Sequence, residues 1–234
     1  MFVSGFAAGA WGTNCYVVAS GPGEPCVIVD PGQDSIARVQ ELIREHRLLP
    51  AAVLLTHGHI DHVWSVAPLT DEFDVPAVIH AADRYRLADP AGTSVVAARE
   101  QLLAMTKNAL ELTEPSEIQV LENDAAIEIA GLEFGVHHAP GHTEGSTVFT
   151  MTGDRDVPLM LSGDVLFAGS IGRTDLPGGN PAAMRASLER VILPQPDETE
   201  VLPGHGELTT IGTERASNPY LRDLSLAGDR RPGL

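Results

Sequence analysis

Four side chains that can bind a metal ion fall within six consecutive positions of this chain, in the run His57-Gly58-His59-Ile60-Asp61-His62. The run follows an apolar segment, residues 52–55, that predicts a buried strand, so the histidines belong to the loop at its C-terminal end. Extended backbone there places His57 and His59 on one face, and Gly58 adds no side chain that would crowd an ion. Asp61 and His62 diverge and suit a second ion. Because unpaired imidazoles have no packing reason to cluster, the run indicates a metal site.

Later strand ends supply further ligands of the same kind. Two Pro-Gly-His tripeptides, which end in His142 and His205, each follow an apolar run. Between them residues 159–163 predict a buried strand that ends at the carboxylate of Asp164. The chain thus offers five histidines and two aspartates at strand ends, enough for two ions with one carboxylate between them. Histidine and carboxylate without thiolate suit zinc, iron or manganese.

This ligand set resembles that of the metallo-β-lactamase superfamily of binuclear hydrolases. The resemblance implies two divalent ions, with zinc favoured and iron or manganese as alternatives. The implied ligands are His57, His59 and His142 for the first ion, Asp61, His62 and His205 for the second, and Asp164 as the bridge. It also implies a four-layer αββα sandwich with the metals at one end between two sheets. The strand and helix patterns of the sequence, without the resemblance, predict a mixed α/β fold with a large sheet system.

Further segments resemble the glyoxalase II-like branch, the hydroxyacylglutathione hydrolases, in its short bacterial form. They are residues 13–16, 29–32 and 167–175, and in the tail 209–212, 214–215 and 218–221. The branch implies hydrolysis of 2-hydroxyacyl thioesters of a low-molecular-weight thiol by a hydroxide held between the two ions. A thiol has a pKa of about 8.5, so a thiolate leaves without a strong general acid. Asp61, besides binding metal, is the expected catalytic residue because it can orient the hydroxide.

Substrate recognition is expected to involve Arg173, in the loop after Asp164. The glyoxalase II branch carries there a basic residue that meets the carboxylate of the thiol, and the planar guanidinium suits a carboxylate. An ion pair with the nearby Asp175 explains Arg173 equally well. Longer glyoxalases II bind the thiol with a C-terminal helical domain, which is expected to be absent because few residues follow His205. A thiol other than glutathione therefore fits as well.

Three other functions stay open. Persulfide dioxygenases have the same fold and a Gly-Arg-Thr-Asp segment like that at 172–175, but they use one iron, at positions comparable to His57, His142 and Asp164. The complete second ligand set, with His205, favours a hydrolase over that oxidoreductase. Lactone or β-lactam hydrolysis is a further alternative. A metal-stabilised interaction module without activity is the non-enzymatic one.

Composition limits the partners and the compartment. The 234 residues include 32 acidic and 15 basic ones, and the net charge of −17 repels nucleic-acid phosphates. No apolar run approaches the ~20 residues of a membrane helix, and the first 13 residues lack the basic and apolar regions of a signal peptide. Cys15 and Cys26 are expected to be buried free thiols, which fits a reducing cytoplasm. The expected partner is a small-molecule thioester, without nucleic acid or membrane.

The elements that position these residues are expected to form one domain over residues 1–234. Helices are predicted over 34–46, 60–69, 81–87, 181–192 and 215–226, with Asp34 or Ser35 capping the first. Residues 94–112 have helical composition and could either cover the metal face or pack on the sheet. Strands fill most of the remaining chain. Phe6 and Trp11 could line a substrate groove or pack in the core, and Glu144 replaces the proline usual in the family.

Overall fold

Two six-stranded sheets carry the fold in the computed structural model, which describes residues 1–90, 112–122 and 125–228. The strands of the first sheet, in spatial order, are β1 (Phe2–Ala8), β2 (Thr13–Ala19), β3 (Pro25–Val29), β4 (Leu49–Leu54), β5 (Ala77–His80) and β6 (Ile118–Leu121). Strands β1 to β3 pair antiparallel, and β3 to β6 pair parallel.

The second sheet is built from the later part of the chain. Its strands, in chain order, are β7 (Ala126–Ile129), β8 (Leu132–His138), β9 (Thr147–Thr152), β10 (Pro158–Gly163), β11 (Glu200–Pro203) and β12 (Thr209–Thr210). All neighbours pair antiparallel except β10 and β11, which are parallel.

Helices cover the outer faces of both sheets. They are α1 (Ile36–His46), α2 (Ile60–Val63), α3 (Val66–Phe73), the 3-10 helix Ala81–Leu87, α4 (Pro181–Ser187) with its π-helical continuation Leu188–Ile192, α5 (Ile211–Ser217) and α6 (Pro219–Gly228). None of the helices in the described part of the chain combines the length and apolar character that a membrane crossing requires.

Three apolar layers follow from the period-2 alternation of the strands. In β2, Cys15 and Val17 face the helices that cover the first sheet, whereas Tyr16 and Val18 face the second sheet. Phe134 and Phe149 meet edge to face in the layer between the sheets, with ring centroids 6.4 Å apart. Both are fully buried, so truncating either to alanine would cost ~3–5 kcal/mol. The layers confirm the predicted αββα sandwich.

Several predicted helices differ from those observed, because tertiary contacts decide where they break. The predicted helix 60–69 is two helices, separated at Ser65, whose N–H and hydroxyl donate to the carbonyls of Pro31 and Gly32. The predicted helix 215–226 is α5 and α6, which meet at Pro219. Ser35 is the N-cap residue of α1, as predicted, but its hydroxyl donates to the Gly32 carbonyl and makes no capping hydrogen bond to the helix.

Other predictions need smaller changes. The segment Ala81–Leu87 is a 3-10 helix rather than an α-helix, and the two-residue strand β12 was not predicted. Of the predicted helix 94–112, all but Leu112 lies outside the described residues. Phe6 packs against the core beneath the first sheet, so the groove interpretation of this residue is wrong.

Candidate metal centre

The loop that follows β4 is fixed by Asp30, a buried carboxylate at the end of β3. Asp30 accepts hydrogen bonds from the Thr56 N–H at 2.8 Å, from the Thr56 hydroxyl at 2.6 Å and from His62 Nδ1 at 3.0 Å. Because the Thr56 hydroxyl donates to Asp30, its oxygen accepts from His57 Nδ1, 3.1 Å away. These partners assign the tautomers of His57 and His62 and turn both Nε2 atoms into the cluster.

The first predicted ligand group converges as expected. His59 Nδ1 lies 3.2 Å from His57 Nε2 and 2.8 Å from His142 Nε2. His142 Nδ1 donates to the carbonyl of Arg173 at 2.7 Å, so its Nε2 carries no proton. The single ring proton of a neutral His59 can therefore satisfy only one of its two neighbours. A divalent cation between the three nitrogens would satisfy all of them, and the donor set fits one.

The second group lies beside the first. His205 Nε2 is 3.1 Å and His62 Nε2 is 3.5 Å from Asp61 Oδ2, and the hydroxyl of Thr13 donates to the same oxygen at 3.1 Å. The ligand atoms of Asp61, His62 and His205 all fall within 4.8 Å of one another. The structure thus brings together three residues from positions 61, 62 and 205.

Asp164 stands between the two groups. Its Oδ2 lies 3.2 Å from His142 Nε2 and 3.7 Å from His205 Nε2, and its Oδ1 lies 3.3 Å from His62 Nε2. Oδ1 is buried and has no hydrogen-bond partner. A buried carboxylate oxygen without a donor is costly, and a bound cation would remove that cost. The arrangement fits a carboxylate shared by two ions.

The first strands hold the turn that carries His205. The Asn14 side chain donates to the carbonyls of Pro203 and Gly206, and the Tyr16 hydroxyl donates to Pro203 at 2.8 Å. A Cβ at Gly204 would collide with Asp164 Oδ1, so only glycine allows the turn to approach the bridging position this closely. Residues 13–16, singled out by sequence resemblance, therefore anchor the end of β11.

Burial and charge set opposite proton preferences in the two groups. Burial lowers the pKa of His57 well below its usual value, and burial together with His142 lowers the pKa of His59 to about 3. Burial alone would also lower the pKa of His62, but the carboxylates of Asp164, Asp61 and Asp30 raise it well above its usual value. His57 and His59 therefore favour the neutral imidazole, whereas His62 favours the protonated one.

The same charges keep the carboxylates ionised. Burial alone would raise the pKa of Asp61, but His62 and His205 lower it to about 2. Burial likewise opposes ionisation of Asp164, whose pKa is held well below its usual value by His62 and His142. The pKa of His205 rises through its contact with Asp61 and the charge of Asp164, although burial opposes the rise. Ionised carboxylates are the form that binds cations.

Arg173 approaches the first group through its main chain rather than its side chain. Its carbonyl accepts from His142, whereas its guanidinium makes two hydrogen bonds to Asp175, at 2.7 and 2.8 Å. Both side chains of this ion pair are exposed. The ion pair left open by the sequence is thus present, and the side chain of Arg173 does not contact the predicted ligands.

The tail positions the loop that contains Arg173. Glu214 is buried and accepts from the Gly169 N–H at 2.7 Å, from Asn218 Nδ2 at 2.8 Å and from the Thr209 hydroxyl at 2.7 Å. The same Asn218 amide also donates to the Ser170 carbonyl at 3.0 Å. The tail segments that resemble the family pattern therefore serve the loop after Asp164.

Two apolar surfaces border the cluster. Trp11 and Trp64 lie 5.8 Å apart and pack against Ile60, next to Asp61. On the other side, a cavity of about 390 Å³ is lined by Phe167, Ala168, His205, Gly206 and Glu207. Phe167 meets the ring of His205 edge to face at 6.0 Å. A small organic substrate could therefore reach the second ligand group over apolar surface.

A buried charged network behind the first group was missed at the sequence level. It consists of Asp83 and Arg86, both fully buried, with the outer partner Glu144. Only Glu144 gave a signal, because it replaces the family's usual proline. Asp83 and Arg86 resemble ordinary solvent-facing charges of a short helix, and nothing local shows that their partners lie about 60 residues later.

The family model of the metallo-β-lactamase superfamily matches residues 8–205. The chain belongs to the metallo-β-lactamase superfamily. The predicted superfamily is thus confirmed, and its His/Asp groups support binding of divalent metals. In this member of the metallo-β-lactamase superfamily, the matched span contains every predicted ligand, from His57 to His205.

Relatives in the superfamily extend over nearly the whole chain. An uncharacterized protein of Mycobacterium tuberculosis is 42% identical, covering 96% of this chain and 100% of its own length. The probable metallo-hydrolase YqgX of Bacillus subtilis is 34% identical, covering 91% and 94% respectively. Hydroxyacylglutathione hydrolase GloC of Haemophilus influenzae is 32% identical, covering 85% and 88%.

Solved structures of superfamily members show the same fold. The BLEG-1 B3 metallo-beta-lactamase is 37% identical, covers 94% of this chain and 99% of its own, and has a TM-score of 0.79. TTHA1623, solved in a di-iron-bound form, is also 37% identical, with 94% and 100% coverage and a TM-score of 0.75. ETHE1 from Myxococcus xanthus, at 22% identity over 99% of this chain and 92% of its own, has a TM-score of 0.72 and supports the fold alone.

Proposed function

We propose that this protein is a binuclear metallohydrolase that cleaves 2-hydroxyacyl thioesters of a low-molecular-weight thiol. The observation that carries the proposal is the meeting of two three-residue ligand groups at Asp164. The identity shared with hydroxyacylglutathione hydrolase GloC supports the substrate class. Zinc is the favoured metal for a histidine and carboxylate set, and the di-iron form of TTHA1623 keeps iron, and with it manganese, as an alternative.

When bound, two divalent ions would lower the pKa of a shared water to about 7 and polarise the substrate carbonyl. The seven predicted ligands would hold them, and Asp61 would also orient the attacking water. Its Oδ2 is fixed by the hydroxyl of Thr13, and its pKa of about 2 keeps it a hydrogen-bond acceptor at neutral pH. Asp61 is therefore the proposed catalytic residue.

The leaving group follows from the side chains around the cluster. Tyr16, beneath the His205 turn, donates a hydrogen bond to the Pro203 carbonyl, and burial raises its pKa, so it does not act as a general acid. A thiolate needs no strong acid to leave, whereas an amine or an alkoxide does. This difference favours a thioester over an ordinary ester or amide.

Recognition of the thiol by Arg173 remains part of the proposal. The Arg173–Asp175 pair is exposed and therefore weakened by solvent. A carboxylate on the thiol could replace Asp175 without a large desolvation cost. The exchange would keep both hydrogen bonds of the guanidinium, and it would use the carboxylate-matching geometry of arginine.

One second candidate has a specific observation behind it. The BLEG-1 B3 metallo-beta-lactamase shares 37% identity over nearly all of both chains, so β-lactam hydrolysis is the alternative activity. The apolar border formed by Trp11 and Trp64 could accept either type of acyl group. The thioester is preferred because its thiolate leaves without a strong acid, whereas the amine released from a β-lactam needs a proton.

The deciding experiment combines metal analysis with a substrate panel. Protein loaded separately with zinc, iron and manganese is offered lactoyl thioesters of several thiols, a penicillin and a lactone. Two ions per chain and release of thiol from the lactoyl thioesters are expected. Efficient turnover of the β-lactam or lactone, with the thioesters left intact, would overturn the proposal. Oxygen uptake with a glutathione persulfide by a form with one iron would replace it by dioxygenase activity.

The proposal also covers the compartment and the partner. Cys15 and Cys26 are free and fully buried, which fits a reducing cytoplasm. The net charge of −17 disfavours nucleic acid, and a small-molecule thioester is the proposed partner.

A further inference from the structure

Asp83 is a buried carboxylate that accepts four hydrogen bonds, three from two separate loops and one from Arg86 in its own 3-10 helix. Its Oδ2 accepts from the Gly58 N–H at 2.8 Å and from the Thr143 hydroxyl at 2.7 Å. Its Oδ1 accepts from the Gly145 N–H at 2.8 Å and from Arg86 Nε at 3.2 Å. The side chain has no exposed surface, so these donors account for its hydrogen-bonding capacity.

The two loops are those that carry the first ligand group. Gly58 lies between His57 and His59, and Thr143 directly follows His142. Asp83 therefore joins the loop after β4 to the loop after β8, one from each sheet. Two of its hydrogen-bond donors, Gly58 and Thr143, are sequence neighbours of the three ligands of the first group. None of its four donors is a sequence neighbour of Asp61, His62 or His205.

Arg86 completes the brace from behind. Its stem fills the space beside Gly58, where a Cβ would lie 2.7 Å from Arg86 Cβ, so this glycine makes room for the arginine rather than for an ion. Its Nη2 donates to Glu144 at 2.6 Å and to the Pro177 carbonyl at 3.0 Å. The brace thus extends from the first ligand loop to the segment near residue 177.

Stability alone does not explain this network. Burying an ion pair costs desolvation that the attraction often fails to recover. The Nη1 of Arg86 is also buried, and among the described residues it finds no acceptor. A role in fixing the ligand loops would explain why this carboxylate is buried. Residues that orient metal ligands commonly affect the affinity for the metal.

We propose that Asp83 is the positioning residue of the first metal group, holding His57, His59 and His142 in register across the two sheets. The inference deepens the proposed function and rests on its metal site. Asp83 touches no ligand side chain and acts through Gly58, Thr143 and Gly145. Its removal should therefore weaken the first ion selectively, rather than both ions together.

The test uses Asp83→Asn, which keeps the shape but places an amide where two donors point. Thr143→Val removes one of the four hydrogen bonds to Asp83, together with the hydroxyl contact to Ser146. Thr13→Val is the matched control, because it removes a threonine hydroxyl that donates to Asp61 of the second group instead. Affinities for zinc are measured by chelator competition, and the two ions are assigned with His142→Ala and His205→Ala.

We expect Asp83→Asn to weaken the first ion by about 10- to 100-fold, in the range found for partners of metal ligands. Thr143→Val should weaken the same ion less, and Thr13→Val should weaken only the second. Folded Asp83→Asn with wild-type affinity for the first ion would overturn the inference. If Asp83→Asn does not fold, Thr143→Val decides by the same criterion. Wild-type protein without an ion at the first group would instead overturn the proposed function together with this inference.

Discussion

The Oδ1 atom of Asp164 lies 3.3 Å from Nε2 of His62, yet it is buried and accepts no hydrogen bond. An unsatisfied buried acceptor costs ~1–3 kcal/mol or more when charged. Its Oδ2 lies 3.2 Å from His142 Nε2 and 3.7 Å from His205 Nε2, so the carboxylate is close to members of both ligand groups. This geometry supports the proposal that Asp164 is shared by two cations.

Replacing Asp164 by alanine should leave a folded protein that no longer holds two ions. The rate of thioester hydrolysis should fall by at least about 100-fold, because activation of the water and polarisation of the substrate carbonyl both depend on two bound ions. Metal content and rate are measured on protein whose fold is checked by circular dichroism. Glu198→Ala, which removes an exposed carboxylate outside the ligand cluster, is the control. Two ions and near-normal turnover in Asp164→Ala would contradict the bridging role.

Lowering the pH should release the second ion before the first. Metal binding requires an unprotonated imidazole, and a raised pKa keeps a histidine protonated up to higher pH. Burial opposes the rise, but nearby carboxylates raise the pKa of His62 and His205, whereas burial lowers that of His57 and His59. As pH falls, protons therefore compete first at the second group. Metal analysis after equilibration at a series of pH values checks the order. Simultaneous loss, or earlier loss of the first ion, would rule it out.

Arg173→Ala should raise KM for a thioester whose thiol carries a carboxylate by about ten- to hundredfold, with kcat little changed. A charge-assisted contact of this kind is uniform binding, present equally in ground and transition states. Asp175→Ala is the matched variant, because it removes the competing carboxylate and should lower KM or leave it unchanged.

The substrate control for Arg173 is a thioester whose thiol lacks the carboxylate. On that substrate Arg173→Ala and wild type should converge. An equal rise in KM on both substrates, or equal effects of Arg173→Ala and Asp175→Ala, would contradict substrate binding by Arg173. The side chain would then serve only the ion pair with Asp175.

Tyr16→Phe should lower the free energy of unfolding by ~0.5–1.5 kcal/mol, the net value of one hydrogen bond. The loss stays small because Asn14 still donates to the same Pro203 carbonyl at 3.0 Å. Denaturant unfolding measures it, with Tyr220→Phe at an exposed tyrosine as the control. A loss above ~3 kcal/mol would mean that the Tyr16 hydroxyl does more than hold this carbonyl.

The ligand cluster could be anticipated from sequence because its residue types are rare together and sit at strand ends. His57, His142 and His205 each follow an apolar run, which predicts that they lie just after the C-terminal ends of strands, as they do after β4, β8 and β11. The layers of the fold followed from the alternation of buried residues within strands such as β2. These signals are local and need no knowledge of distant contacts.

Other features depend on distant partners and left no local trace. Ser65 breaks the predicted helix because its hydroxyl bonds to Gly32, and β12 exists only through its pairing with β11. Asp83 has the composition of any surface acid in a short helix, although it is fully buried. The sequence predicts that a side chain at position 58 would be crowded. The structure agrees, but the group that occupies the space is the side chain of Arg86 rather than an ion.

The division of ligands between the sheets has a consequence for how the molecule is made. The first sheet is completed by residue 121, but the third ligand of the first group, His142, comes from a strand of the second sheet. The second group is complete only when His205 has been synthesised. A nascent polypeptide leaving the ribosome therefore carries only partial chelating sets during most of its synthesis. We therefore expect metal to be acquired after both halves have docked, so that bound ions would link the part of the chain made early to the part made late.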